Sequence, residues 1–213
     1  MSAAEIYEGL LNEYGKPQWW SDNPYTVIVE AILVQNTSWS SVRKVSEKVS
    51  RTYVPEEILS MPALELEDLI RPCGFCKRKA DTIRRITEWF GRYDFNPESE
   101  WNVNDKDLRN ELTSIKGIGY ETADVILVYA FHRPHFIIDA YTRQIYERLG
   151  LQFSCDDEIR SFIKETTPTD YKIHGWYHWL LLQHGINRCK KKPLCIGCPF
   201  VKSCIFAGSQ ICH

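Results

Sequence analysis

Residues 112–123 read Leu112-Thr113-Ser114-Ile115-Lys116-Gly117-Ile118-Gly119-Tyr120-Glu121-Thr122-Ala123. A helical segment ends, two glycines separated by one residue turn the chain tightly, and a second helical segment begins. Glycines let backbone amides approach a ligand closely, and the N-terminus of the following helix adds the positive end of a dipole. That combination binds phosphate without reading sequence. Ile118 is placed to plug the turn onto its two helices. A lone Gly-x-Gly says little; between two helical segments, with Lys116 beside it, it is the helix-hairpin-helix pattern. Lys116, Gly117 and Gly119 are therefore the candidate phosphate-binding residues.

Helical periodicity extends outward in both directions. Ile6, Leu10, Leu11 and Tyr14 mark one face of a first helix, closed by Gly15 with Pro17 beyond. Asn23-Pro24 opens an apolar segment through Leu33, and Val42, Val45 and Val49 keep helical spacing. Ala63–Ile70, Ala80–Phe90, Asp105 to about Ser114, Tyr120–Phe131, Ala140–Leu149, Asp157–Lys164 and Tyr171–His184 read as further helices. Only Phe136–Ile138 is ambiguous between extended and helical. The fold class is all-α.

The chain has 213 residues, 44 % hydrophobic and 25 % charged, which excludes a disordered or fibrous protein for most of its length. No run reaches the roughly 18 apolar residues of a membrane span. Glu5, Glu8 and Glu13 near the start, without a basic region, do not read as a signal peptide, so a cytoplasmic protein, taken as a monomer with no membrane partner, is the expectation. Net charge is −2. Residues 1–70 carry 5 basic and 11 acidic side chains, whereas residues 71–92 carry 7 against 2, and residues 188–202 carry 5 with no acid. Local basic stretches on a near-neutral chain are candidate phosphate-binding faces, a solvated helix surface being the plainer account.

Four of the eight cysteines follow the spacing Cys189-x5-Cys195-x2-Cys198-x5-Cys204. In a chain expected to remain reduced, clustered thiols point to a metal rather than to disulfides. A [4Fe-4S] cluster and a structural zinc ion compete. Zinc ribbons usually show two C-x-x-C pairs and here there is one, which favours the cluster. Cys73-x-x-Cys76 lies between helices without a βαβ context and reads as ordinary cysteines. His174 and His178, four apart on one helix, read as structural. Asp139, directly after the apolar Ile137-Ile138, is a candidate buried carboxylate and equally a helix N-cap.

Hairpin, aspartate and cysteine loop, in that order, resemble the endonuclease III branch of the helix-hairpin-helix DNA glycosylases over nearly the whole chain. Ile32–Thr37 looks like the family segment whose glutamine, here Gln35, fills the space left by a flipped nucleotide. Arg71–Ala80 is similar to its basic loop, and His178-Trp179-Leu180 with His184-Gly185 to the helix that leads into the cluster. Trp19-Trp20 and Gln35–Trp39 look most like 3-methyladenine DNA glycosylase III, a relative known for aromatic stacking of the damaged base. The resemblance implies two helical domains, residues 22–133 with six helices and the hairpin, and residues 1–21 plus 134–213 with the iron–sulfur loop. It implies a base-excision repair enzyme that extrudes a damaged base from double-stranded DNA into the cleft between the domains. Asp139 is then the catalytic residue, Trp39 and Trp19 or Trp20 wall the base, and Cys189, Cys195, Cys198 and Cys204 hold the cluster.

Two departures shape the expected activity. Glu121 stands where bifunctional relatives carry the lysine nucleophile, and a glutamate forms no Schiff base. The first cysteine spacing is one residue shorter than usual, and alkyladenine relatives can lack the cluster, so the chain mixes both branches. The reading is a monofunctional glycosylase for alkylated purines. Its alternatives are an endonuclease III-like enzyme for oxidised or deaminated bases, with or without lyase activity, and a non-catalytic lesion-binding module.

Overall fold

A computed structural model describes residues 1–49, 53–100 and 103–211, and the eighth cysteine, Cys212, lies outside them. Among the described residues there are helices and no strand, as the periodicity requires. The chain divides into two compact units: Trp20–Arg133, and Met1–Trp19 together with Pro134–His213.

The continuous unit is built around α2 (Pro24–Leu33). Asn23 caps it by accepting the Thr26 N–H at 2.9 Å, and Pro24 supplies the first helical position, where its missing N–H costs nothing. Eight of its ten residues are buried, so α2 is a central helix rather than an amphipathic surface one. Around it lie α3 (Trp39–Lys48), α4 (Pro55–Ser60), α5 (Ala63–Leu69), α6 (Cys76–Gly91), α7 (Asp105–Ser114) and α8 (Tyr120–Tyr129). Helices α6 and α8 pack directly on α2. Helix α6 starts four residues before Ala80, because Phe75 in the left-handed region (φ 48°) turns the chain into it. Helix α4 has too few residues to show a period, and the sequence reading missed it. The pair α7–α8 flanks the hairpin and is tied by a two-bond ion pair: Arg109 Nε donates to Asp124 Oδ1 at 2.6 Å and its terminal nitrogen to Oδ2 at 3.0 Å. Asp124 is buried, so this pair carries more weight than a surface one.

The other unit joins the two ends of the chain. Helix α1 (Ala3–Tyr14) begins with a complete capping box between Ser2 and Glu5. It packs on α10 (Asp156–Thr166) and α11 (Tyr171–Asn187), while α9 (Ala140–Leu149) packs on α11 and on α12 (Ile205–Ile211). Ile6, Leu10, Ile145, Ile163, Leu180 and Leu181 form its core. Tyr146 and Tyr177 are buried within it and satisfy each other, hydroxyl to hydroxyl at 2.9 Å. The Phe136–Ile138 segment is neither helix nor strand and leads to Asp139 at the start of α9. The short α12, beyond the cysteines, was also not read from sequence.

His174 and His178 are 1 % and 8 % exposed. Burial lowers both pKa values below the ordinary 6.5, with Asp139 opposing that effect at His178. The unfolded chain therefore binds protons that the folded chain refuses. Stability from these two groups is complete above pH 6.5 and is lost as pH falls below it. A urea-unfolding series from pH 7.5 to pH 5 should show a falling midpoint, and His178→Gln should flatten the slope.

Candidate nucleic-acid interface and active site

The hairpin has the geometry its glycines demand. Gly117 has φ 99°, and a Cβ there would stand 2.1 Å from Thr82 Oγ1, so both the backbone and the space exclude a side chain. Thr82 uses that closeness, donating to the Lys116 carbonyl at 3.1 Å and to Arg78 O at 3.0 Å. Ile118 is buried and its N–H reaches Ile115 O at 3.0 Å, which closes the turn on the apolar side. Lys116, Gly117 and Gly119 are exposed on the other, and a Cβ at Gly119 would meet nothing within 4 Å. Gly119 is the N-cap of α8 and offers no side chain for the first-turn amides. Those donors therefore point outward from a dipole end, as an anion site needs. Tyr120, 65 % exposed, stands beside them with the Arg109 guanidinium 4.6 Å from its ring. Glu121 is exposed on the first turn of α8.

Gln35 lies in the turn after α2. Its Nε2 donates to the Gly117 carbonyl at 3.1 Å and to Thr122 Oγ1 at 3.0 Å, so it rests on the hairpin itself. The next residue, Asn36, has φ 53°. Trp39 opens α3, and Trp20 meets it edge to face, centroids 4.8 Å apart. Trp20 also meets Tyr129 edge-on at 5.5 Å and gives its indole N–H to Glu30 at 2.7 Å. Trp20 is thus fixed on three sides and supports Trp39. Trp19 belongs to the other unit, where its ring lies edge-on to Tyr171 at 5.6 Å. The two tandem tryptophans therefore have separate surroundings.

Much of the charge in residues 71–92 is already used. Arg71 pairs with Asp68 and Arg85 with Asp81, and Arg84 donates to the Met61 carbonyl. Lys79 is 1 % exposed and turned inward. The formal excess in this segment overstates the face it offers to phosphate. Phe75, by contrast, is a feature the sequence reading missed. It is 62 % exposed, follows Gly74 (φ 68°), adopts φ 48° itself and has the Arg78 guanidinium 5.0 Å from its ring. Its signal in sequence was the glycine before an aromatic at the tip of a basic loop.

Asp139 is the N-cap of α9 and 5 % exposed. Its Oδ1 accepts from both Thr142 N and Thr142 Oγ1 at 2.7 Å. His178 Nε2 lies 3.7 Å from the other oxygen, Oδ2. One carboxylate oxygen is spent on the cap and locks the rotamer; the second is held in a fixed position.

Cys189, Cys195, Cys198 and Cys204 are free thiols that line one hollow, walled by Ile145, Leu149, Phe200 and Ala207. Its empty space is about 390 Å³ with the open side included. Among the described residues, no three His, Cys, Asp or Glu side chains converge on a single metal-ion position. Arg148 straps the loop, donating to Cys189 O at 2.9 Å, Lys190 O at 2.9 Å and Cys189 Sγ at 3.3 Å. His184 Nε2 lies 3.7 Å from Cys198 Sγ, and its Nδ1 is 3.0 Å from the Tyr14 hydroxyl. Burial raises the Cys189 and Cys198 thiols above their usual pKa. Lys190, Lys191, Lys192 and Lys202 are exposed around the loop.

Comparison with known proteins places these features in a family. The model of the HhH-GPD superfamily of base excision DNA repair proteins matches residues 29–168. A Methanocaldococcus jannaschii protein described as a candidate DNA repair glycosylase is 40 % identical over 94 % of both chains. Endonuclease III of Sulfolobus acidocaldarius is 31 % identical, over 83 % of this chain and 79 % of its own. A non-covalent endonuclease III–DNA complex superposes with a TM-score of 0.80 at 22 % identity, covering all of both chains. Helicobacter pylori 3-methyladenine DNA glycosylase bound to 1,N6-ethenoadenine gives 0.73 at 21 % identity, over 86 % of this chain and 97 % of its own. The chain belongs to the HhH-GPD superfamily. Within it, the chain is a helix-hairpin-helix DNA N-glycosylase of the endonuclease III type, an enzyme of base excision repair.

Replacing Gly117 with alanine should cost about 1–3 kcal/mol through the unfavourable φ alone, with the Thr82 clash added. Urea unfolding checks that cost, and a salt titration of duplex affinity should give a shallower slope than the parent protein as phosphate contacts are lost.

Proposed function

We propose that this glycosylase is monofunctional, hydrolyses the N-glycosidic bond of alkylated purines, and uses Asp139 as its catalytic carboxylate. The observation that carries the reading is the double Thr142 bond to Asp139 Oδ1, which leaves Oδ2 as the oxygen for the sugar. The hairpin at Lys116, Gly117 and Gly119 grips the backbone near the lesion. Gln35 exchanges its two hairpin bonds for the space of the extruded nucleotide, and the exposed Phe75 wedges the stack as a second insertion. Trp39, propped by Trp20, stacks on the base, and Trp19 is the other candidate wall. Alkylation at a ring nitrogen makes the purine cationic, and an indole face attracts it by about 0.5–2 kcal/mol. The cationic base leaves readily. The ionised Asp139 stabilises positive charge growing on the deoxyribose and orients or deprotonates the water that adds to C1′. The products are a free base and an abasic site. Glu121 supplies no amine, so no Schiff base forms and the strand stays intact.

The cysteine loop fits an iron–sulfur cluster. Four sulfurs around one hollow suit a polynuclear group better than a zinc ion, which needs all four at about 2.3 Å from one point. The donors are half-buried thiols, burial raises the pKa of Cys189 and Cys198, and bound metal cations would convert the four thiols to thiolates. When bound, the cluster would cross-link the segment between α11 and α12 to itself; no chemical step passes through it.

The second reading, oxidised or deaminated bases as substrates, draws on the 31 % identity to an endonuclease III. One panel decides: duplexes with single lesions, assayed for base release and separately for nicking. Release of methylated adenine without nicking and without borohydride trapping is expected. Release confined to oxidised pyrimidines, or a trapped covalent adduct, would overturn the proposal. Asp139→Asn should lower release by about 10²–10⁴-fold while duplex affinity stays near that of the parent. Full activity would remove Asp139 from catalysis. Purified protein should be brown, with about four irons per chain, the nuclearity of a [4Fe–4S] centre; colourless protein with one zinc would contradict the cluster.

A further inference from the structure

The Lys79 ammonium is buried in the unit that carries the hairpin, and two of its three protons go to backbone carbonyls. It donates to Leu33 O at 2.8 Å and to Cys73 O at 2.8 Å. Burial lowers its pKa below the ordinary lysine value, so this is a costly place for a charge unless the carbonyls repay it. These carbonyls are not arbitrary. Leu33 is the last residue of α2, two positions before Gln35. Cys73 ends the 3₁₀ turn Arg71–Cys73, two positions before Phe75.

Both carbonyls belong to the ends of helical segments, where the regular bonding pattern runs out. At the end of α2, Val34 N takes Glu30 O and Gln35 N takes Ile32 O. Leu33 O is left for a donor from elsewhere, and Lys79, one turn into α6, provides it. Within three residues of each carbonyl the chain enters the left-handed region: Asn36 has φ 53°, and Gly74 and Phe75 have φ 68° and 48°. A non-glycine residue in that region is disfavoured, and such a conformation persists where its surroundings over-determine it. One cation thus anchors the bases of two loops, one carrying the half-buried Gln35 and the other the exposed Phe75.

We infer that Lys79 is a positioning residue that holds the Gln35 and Phe75 loops at a fixed mutual spacing, so that both enter the duplex together. The inference rests on the reading of these two residues as the ones that enter DNA. A purely structural lysine would support the fold and leave insertion unaltered.

The test uses Lys79→Met, which keeps length and removes the donors. The probe is a duplex with one tetrahydrofuran abasic analogue and 2-aminopurine opposite it. Binding of the parent protein should raise the fluorescence as the stack opens. K79M should give no more than a tenth of that rise, with affinity for undamaged duplex within threefold, because the hairpin grip is unaltered. A full rise with K79M, even with a lowered melting temperature, would overturn the inference and leave the insertion reading standing. No rise with the parent protein would remove both. If circular dichroism shows K79M unfolded at the assay temperature, K79Q, which can keep one of the two bonds, is put through the same comparison.

Discussion

An α-helix leaves four N–H groups and four carbonyls without partners at its ends, and this protein places its candidate chemistry at those ends. The hairpin amides precede α8. Asp139 caps α9. Gln35 follows α2, Phe75 precedes α6, and the four cysteines begin two residues after α11. In a fold made of helices the shafts are committed to packing, as the nearly complete burial of α2 shows. The termini are the places where backbone polarity is still available to a ligand. They are also where side chains must be recruited to hold the chain still.

That constraint explains the double duty of several residues. The carboxyl of Asp139 satisfies the first turn of α9 with one oxygen, and the same two bonds to Thr142 fix its other oxygen in space. A side chain free to rotate would lose that orientation at an entropic cost. Trp20 is similarly committed: its N–H goes to Glu30 and its ring to Trp39 and Tyr129. Glu30 in turn receives the Ser46 hydroxyl at 2.5 Å. A ring with that many restraints is a support for its neighbour.

Charge tells a similar story. In sequence the basic segment 71–92 reads as a candidate phosphate face, with a solvated helix surface as the plainer account. In the folded chain its members divide among surface ion pairs, a carbonyl of the preceding loop and the interior. Surface pairs such as Arg85–Asp81 contribute little to stability, yet they lower the field available to DNA. The exposed lysines around the cysteine loop, and Lys116 at the hairpin, keep their charge facing outward.

The sequence by itself determined whatever depends on neighbours a few positions apart. The all-helical class follows from apolar spacing, the hairpin from Gly117 and Gly119, and the cap of α9 from an aspartate after an apolar run. The grouping of the cysteines follows from their spacing alone. Tertiary structure decided whatever depends on residues far apart in the chain. Lys79 and the Leu33 carbonyl are 46 positions apart, and Gln35 and Gly117 are 82 apart. Periodicity says which face of a helix is apolar, but not which distant carbonyl an inward-turned ammonium will meet. The short helices α4 and α12 escaped notice for a related reason: they contain too few turns to display a period, and their helicity is sustained by packing rather than by propensity.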